Sequence, residues 1–376
     1  MKRLKKILKI TGITLASLIV IIFIFLYIIS PGKTTAFENK QGNIIENSIA
    51  EMKYVKIGGV EQFMLIRGKS KDNPVLLILH GGPGTPETSP LRKYNSKLEE
   101  YYTVVYWEQR GAGKSFNKNI PDSSMTLDQF IEDTHELTSY LKEQFKKDKI
   151  FLLGHSWGTF LGVKTINKYP NDYHAYVGIG QVGDQTKSEK LSYQFVLKKA
   201  TEMNNIEALK DLNEIGEFEF SNENFNLRSI MNWMITERKW VMKFGGTTYN
   251  PDNFVDIVFF SILFDKEYTI GEKIKSFRGA QLAVTHLFPV VINSNLSKTD
   301  SELEIPIYIL QGINDYQACH SVAKEYFDSL EAPKKEFITF DKSAHMVPFE
   351  EPEKFNDIMI NKVLKECTEY NNVYKK

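Results

Sequence analysis

Hydrophobic and polar positions follow three different patterns along this chain, and each predicts a different kind of structure. The first is unbroken: Ile10 to Ile29 runs for twenty residues without a charge, directly after Lys2, Arg3, Lys5, Lys6 and Lys9. At about 1.5 Å of rise per residue, that stretch reaches about 30 Å, the thickness of a bilayer's hydrocarbon core. It ends in Tyr27-Ile28-Ile29-Ser30-Pro31 rather than in a small-residue cleavage site, which favours an uncleaved anchor over residues 1–30 above a cleaved signal or a buried core helix. Basic flanks stay on the cytoplasmic side, so the expectation is a single-pass cell-membrane protein whose remaining chain lies on the extracytoplasmic side. Residues 31–51 are polar, lack a sustained period, and read as a tether.

The second pattern starts near Met52. Met52–Ile57 and Gln62–Arg67 predict two strands joined at Gly58-Gly59, a pair able to take the positive φ of a tight hairpin. Short solid apolar runs then alternate with amphipathic segments. Val75–Leu79, Tyr102–Trp107, Lys149–Leu153 and Tyr176–Gly180 read as strands buried on both faces of a mostly parallel sheet. Helices are expected near Pro90–Tyr101, from Thr126 to about Lys146, and from Thr159 to Lys168. After a gap the same alternation resumes, with strands Ile305–Leu310 and Lys335–Phe340 and helices over Ser321–Leu330 and beyond Pro352.

The third pattern fills that gap. From about Asp184 to Asp300 the chain is helix-favouring and rich in aromatic residues and Met, without strand-and-turn alternation. The expected architecture is therefore an α/β core in two parts, 52–183 and 301–376, interrupted by a helical cap over 184–300.

Composition narrows the chemistry mainly by exclusion. Forty-seven basic and forty-seven acidic side chains balance, so net charge gives no reason to expect a nucleic-acid partner. The two cysteines, Cys319 and Cys367, fit neither a disulfide framework nor a zinc spacing, and no metal-ligand spacing of His, Asp and Glu is visible. A site without metal or cofactor is expected.

The strongest chemical signal is Gly154-His155-Ser156-Trp157-Gly158, placed between a buried strand and a helix. This is the setting of a nucleophile elbow, where the glycines make room for a strained turn that holds the Ser156 hydroxyl clear of the backbone. A serine hydroxyl needs a base to take its proton, and the chain order of such sites runs nucleophile, acid, histidine. His345, just beyond the last strand, is the expected base. Asp315, in the loop after the penultimate strand, is the expected acid that orients it, ahead of Asp341, which reads as a turn or capping residue. Charge developing on a carbonyl oxygen calls for fixed donors, and the backbone N–H groups of Gly82 and Trp157 are the expected oxyanion pair. Gly111-Ala112-Gly113-Lys114-Ser115 suggests a phosphate loop at first sight, but Glu108 stands where such a loop needs its first glycine, so nucleotide binding is rejected.

Taken in order, His80-Gly81-Gly82-Pro83-Gly84, Gln109-Arg110-Gly111-Ala112-Gly113-Lys114-Ser115 and Gly154-His155-Ser156-Trp157-Gly158 resemble the signatures of the proline iminopeptidase-like branch of the α/β-hydrolases, peptidase family S33. The resemblance covers roughly residues 52–183 and 301–365. It implies the α/β-hydrolase fold and hydrolysis of an ester or amide through an acyl-enzyme on Ser156, and in the iminopeptidases removal of an N-terminal proline from a short peptide. It also implies that cap glutamates hold the substrate's free amine, for which Glu217, Glu219 and Glu237 are candidates. Glu108, Lys114 and His155 depart from the residues usual in that branch.

The cap aromatics Trp233, Trp240, Phe244, Phe259 and Phe260 are read as packing first and as a substrate pocket second, with Trp233 the substrate-binding candidate among them. Three functions stay open at this stage: an aminopeptidase on short peptides, an esterase or amidase on small acyl substrates, and a non-catalytic hydrolase-like receptor for a small ligand.

Overall fold

The structure, a computed structural model, describes residues 2–217 and 226–367. Helix α1 (Lys2–Ile29) stands apart from the rest of the chain, and its apolar residues from Ile10 onward are almost all exposed. Among the described residues it is the one helix long and apolar enough to cross a membrane.

Strands β1 (Ile49–Ile57) and β2 (Val60–Gly68) form the expected hairpin, with Ile57 facing Val60. Both turn glycines take positive φ, 53° at Gly58 and 81° at Gly59, as a two-residue hairpin of this twist requires. Gly58 is needed twice over, because a Cβ there would lie 1.9 Å from Asp133 Oδ1.

Six further strands complete one sheet: β3 (Val75–Leu79), β4 (Thr103–Trp107), β5 (Ile150–His155), β6 (Tyr173–Ile179), β7 (Ile307–Gly312) and β8 (Lys335–Phe340). Their spatial order is β1-β2-β4-β3-β5-β6-β7-β8, antiparallel at the first two pairings and parallel from β4 onward. The solid apolar runs are explained by this parallel sheet being covered on both faces. Leu77 and Leu79 enter one core with Val105, Leu152 and Ile309, while Leu76 and Ile78 enter the other with Val104, Phe151 and Leu310. The two-residue period of a strand thus divides one continuous apolar run between two cores.

Helices α2 (Thr88–Tyr94), α3 (Leu127–Phe145) and α4 (Trp157–Lys168) lie between these strands. Leu137 and Leu141 of α3 and Phe160 of α4 pack into the first core, and Phe355, Met359 and Val363 close the second from the C-terminal end. The single helix expected over Pro90–Tyr101 is broken at Asn95: α2 stops there and a short 3-10 turn, Ser96–Glu100, leads into β4. Asn95 breaks it by turning its side-chain amide onto the Pro348 carbonyl at 3.0 Å, a distant partner that no local pattern encodes.

Between β6 and β7 the chain is helical, as expected: α5 (Gln185–Glu202), α6 (Ile206–Ile215), α7 (Leu227–Lys243), a π-helical turn (Val255–Phe260), α8 (Ser261–Leu263), α9 (Ile270–Ile292) and α10 (Leu296–Thr299). This insertion has its own apolar cluster, including Tyr193, Leu212, Trp233 and Trp240. The strands carrying the sequence motifs are central, so their C-terminal ends meet the insertion.

Candidate active site

Ser156 sits between β5 and α4 with φ 53° and ψ −119°, a conformation that non-glycine residues seldom adopt and that holds the side chain out of both elements. The flanking glycines make the turn possible. A Cβ on Gly154 would lie 2.3 Å from the Gly158 carbonyl oxygen, and one on Gly158 would lie 2.0 Å from that of Leu79. Ser156 N–H donates to the Ile179 carbonyl at 2.9 Å, which ties the elbow to the end of β6.

The next residue after β6, Gly180, brings the distant partners in. Its φ is +57°, and a Cβ there would meet His345 Cε1 at 2.8 Å and His345 Nδ1 at 2.9 Å. The imidazole of His345 is therefore seated against the strand end that also anchors Ser156. His345 Nδ1 donates to Asp315 Oδ2 at 2.8 Å, and both side chains are buried. Asp315 is fully engaged: Oδ1 accepts from the N–H groups of Gln317 and Ala318, each at 2.9 Å, and Oδ2 also accepts from Gln311 Nε2 at 2.8 Å. That set of donors fixes the position of the Asp315 carboxylate, and its bond to His345 places the ring proton on Nδ1 and leaves Nε2 without one. Asp341, the competing acid, is exposed at the end of β8.

A small cavity opens at the serine, lined among others by Gly82, Trp157, Val182, Met234, Phe288 and Val291. Gly82 (φ +111°) and Trp157, at the first turn of α4, line the same cavity as Ser156, where the helix N-terminus favours negative charge. The cavity thus brings Ser156 together with Gly82 and Trp157, while the Asp315-bound His345 ring sits against Gly180 at the adjoining strand end.

The three glycine-rich motifs meet behind it. Gln109 N–H donates to His80 Nε2 at 3.1 Å, Gln109 Nε2 donates to the His80 carbonyl at 3.1 Å, and Trp157 Nε1 donates to Gln109 Oε1 at 2.9 Å. His80 Nδ1 then donates to the Gly81 carbonyl, so its ring is neutral, in keeping with burial holding its pKa low. Arg110 forms a buried pair with Asp133 at 2.7 Å and also holds the Gly58 carbonyl. Lys114 is buried as well, donating to the Glu267 carbonyl at 2.6 Å and lying over the rings of Phe63 and Tyr268. Glu108 accepts from Tyr268 and from the Lys114 N–H, and burial pushes its pKa up to about 7. This loop braces the site from behind; its charges point into the protein.

His155 has a role that its turn position concealed. Nδ1 meets the Glu87 carboxylate and Nε2 lies 2.9 Å from the His345 carbonyl oxygen. A carboxylate and a carbonyl both accept, and an imidazole satisfies both only with a proton on each ring nitrogen. Burial lowers its pKa, but the charge and hydrogen bond of Glu87, the His345 carbonyl and the charge of Asp315 together outweigh it, and the net shift is upward.

The cap candidates separate. Glu217 is exposed, and Glu219 lies outside the described residues. Trp233 packs against Tyr193 with its Nε1 on the Gly216 carbonyl, inside the cap's own core; Met234 beside it lines the cavity instead. Trp240 and Phe244 stack with each other in the same core, whereas Phe259 and Phe260 are exposed. Glu237 is buried beside the site: it accepts from Ser192 and from Arg238, and burial raises its pKa. Sequence reasoning missed its companions. Arg238 lines the cavity and donates to Glu189, which also accepts from Gln185 Nε2 at 2.7 Å, and the second oxygen of Glu189 is buried without a partner among the described residues. Nothing in the helical pattern of α5 and α7 distinguishes Glu189 or Arg238 from solvated helix residues.

A family model described as alpha/beta hydrolase fold matches residues 74–352. The chain belongs to the α/β-hydrolase family. Over 311 residues it is 33% identical to a probable aminopeptidase, YbaC, of Bacillus subtilis (strain 168), covering 82% of this chain and 95% of that one. It is 24% identical over 309 residues to a proline iminopeptidase of Heyndrickxia coagulans, covering 79% of this chain and 93% of the relative. Among solved structures, a proline iminopeptidase-related protein of Thermus thermophilus matches with a TM-score of 0.60 at 20% identity, over 83% of this chain and 96% of that one. This α/β-hydrolase is thus a hydrolytic enzyme of the proline iminopeptidase-like, S33-type branch.

Proposed function

We propose that this hydrolase is a membrane-anchored serine aminopeptidase that cleaves an amide bond through an acyl-enzyme on Ser156. His345 Nε2 takes the proton of Ser156 Oγ as that oxygen attacks the substrate carbonyl. The N–H groups of Gly82 and Trp157 receive the oxyanion, and the imidazolium, held by Asp315, returns the proton to the leaving amine. Water then repeats the sequence against the ester and releases the acid. The observation that carries this reading is the seating of the Asp315-bound His345 ring against Gly180, one residue beyond the carbonyl that binds Ser156 N–H.

The aminopeptidase reading adds the buried group behind the cavity. Glu189 and Glu237 share one Arg238, so the cluster holds two carboxylates to one guanidinium, and the partnerless oxygen of Glu189 suits the ammonium of a substrate's N-terminal residue. The relatives described as aminopeptidases favour the same class. A small-molecule esterase is the second reading, favoured by the apolar Met234, Phe288 and Val291 around the serine. The cap would comprise residues 184–300, and α1 would span the membrane with the catalytic part on the extracytoplasmic side, as its basic flank directs.

The test is a substrate panel: prolyl and other aminoacyl amides, their N-acetylated forms, and short-chain esters, with Ser156→Ala as control. Cleavage of free-amine amides, lost on N-acetylation and in Ser156→Ala, is expected. Turnover of esters alone would leave the esterase reading; full activity of Ser156→Ala would remove the serine mechanism.

A further inference from the structure

The chain leaves α1 and binds at once to one side of the cap. Ser30 is buried, and its hydroxyl accepts from Lys273 Nζ at 2.8 Å. Lys33 N–H donates to the Lys266 carbonyl at 2.9 Å, Gly32 lies against Thr269, and Thr34 donates to Glu267 while accepting from Arg67. No slack tether therefore separates the end of α1 from this part of the cap, and any bilayer that holds α1 must lie close to the segment from Phe260 to Phe277.

That segment carries an apolar surface that the fold leaves open. Phe260 and Phe264 stack with ring centroids 6.0 Å apart, are 40% and 51% exposed, and share a groove with Lys33 and Lys266. On α9, Ile274 and Phe277 are 59% and 73% exposed. They sit three residues apart and so occupy one helix face, beside the face on which Lys273 reaches Ser30. Four large apolar side chains thus flank the exit of α1. Exposed cations lie among them: Lys266 beside Phe264, and Lys118 and Arg278 around Ile274. The acids of the same groove are held within the protein, Asp256 by Lys93, Glu267 by Arg92 and Asp265 by Ser89, so the apolar face with its exposed cations suits the interface of a bilayer containing anionic lipid, where rings enter the acyl boundary and cations meet phosphates.

We infer that the cap docks on the membrane surface through Phe260, Phe264, Ile274 and Phe277, giving the enzyme a second, peripheral attachment beside α1. This rests on the reading of α1 as a membrane span. The consequence for function runs along α9, which carries Phe277 at the docking face and Phe288 and Val291 at the cavity of Ser156, with about 16 Å of helix between Phe277 and Phe288. The membrane would hold one end of the helix whose other end forms the substrate cavity.

The experiment uses the full-length chain in vesicles of phosphatidylcholine with a minority of anionic phosphatidylglycerol. A polarity-sensitive thiol dye is placed at Phe264→Cys, Phe277→Cys, Ile19→Cys in α1, or Glu143→Cys at the end of α3, where the chain turns toward the start of β5 and away from the cap. Native Cys319 and Cys367 are buried and do not compete. On replacing part of the lipid with brominated lipid, the dyes at 264 and 277 should lose roughly half of their emission, as should the dye at 19, while the dye at 143 is unchanged. If 19 is quenched and 264 and 277 behave like 143, the span stands and the docking is wrong. If 19 is not quenched, the span itself fails and the docking falls with it. Shielding of 264 and 277 from both brominated lipid and aqueous iodide would mean that protein covers this face, which also overturns the proposal.

Discussion

His155 Nε2 lies 2.9 Å from the carbonyl oxygen of His345, a residue 190 positions further along the chain. The residue before Ser156 thereby holds the backbone of the loop that carries His345. Glu87 holds the other end of the same ring, and the His345 N–H is fixed separately to the Thr247 carbonyl at 3.0 Å.

A pH dependence follows from that relationship. A neutral imidazole has one N–H, yet Glu87 and the His345 carbonyl both require one, so loss of the His155 proton breaks one of the two bonds. Its pKa is raised in the folded protein, so the stabilisation is complete below the ordinary histidine value of about 6.5 and is lost as pH rises through the folded value. Activity should show an alkaline limb that is absent in His155→Ala, whose kcat/KM should also be lower by about ten- to a hundredfold at neutral pH. Identical alkaline limbs in kcat/KM profiles of the two proteins would contradict this.

Asp315→Asn should leave the fold intact and reduce kcat by roughly a thousandfold or more, because an amide can present its N–H to His345 and stabilise the wrong tautomer. Circular dichroism and thermal unfolding check the fold; steady-state kinetics on a cleaved substrate check the rate.

Gly180→Ala separates position from chemistry. The added methyl would stand 2.8 Å from His345 Cε1 at a φ of +57°, so the ring must move away from Ser156's strand end while every reacting group remains. Stability should fall by about 1–2 kcal/mol from backbone strain, and kcat should fall by about a hundredfold. Wild-type rates in Gly180→Ala would mean that His345 is not needed where it sits.

Glu108 gives a stability prediction with the same sign as His155 but a different cause. Burial raises its pKa to about 7 from an ordinary 4.5, so the folded protein binds a proton that the unfolded chain has already released. Stability should therefore rise as pH falls from about 8 through 7 toward 4.5 on account of this group, and Glu108→Gln should flatten that slope and raise the midpoint of unfolding at about pH 8. Thermal unfolding of both proteins between about pH 5 and about pH 8 reads the difference directly.

Much of the architecture was legible in the sequence because it rests on local patterns. Val75–Leu79 and Lys335–Phe340 were bounded to the residue, since a solid or alternating apolar run between turn signals permits little else. The elbow at Ser156 and the hairpin at Gly58-Gly59 were readable for the same reason: each is a short constraint written in adjacent residues. The break at Asn95 was not, because its cause is the carbonyl of Pro348.

By itself, then, the sequence determined the strands of the sheet and the motifs at their ends. Only the tertiary structure decided what the side chains face. Glu237 became part of a buried Glu189–Arg238 cluster, Trp233 a packing residue, His155 a bridge between two distant acceptors, and Lys114 a buried brace. The physical reason is that periodicity and turn chemistry act over a few residues, whereas charge state and hydrogen-bond partnership depend on groups that the folded chain brings together from far apart.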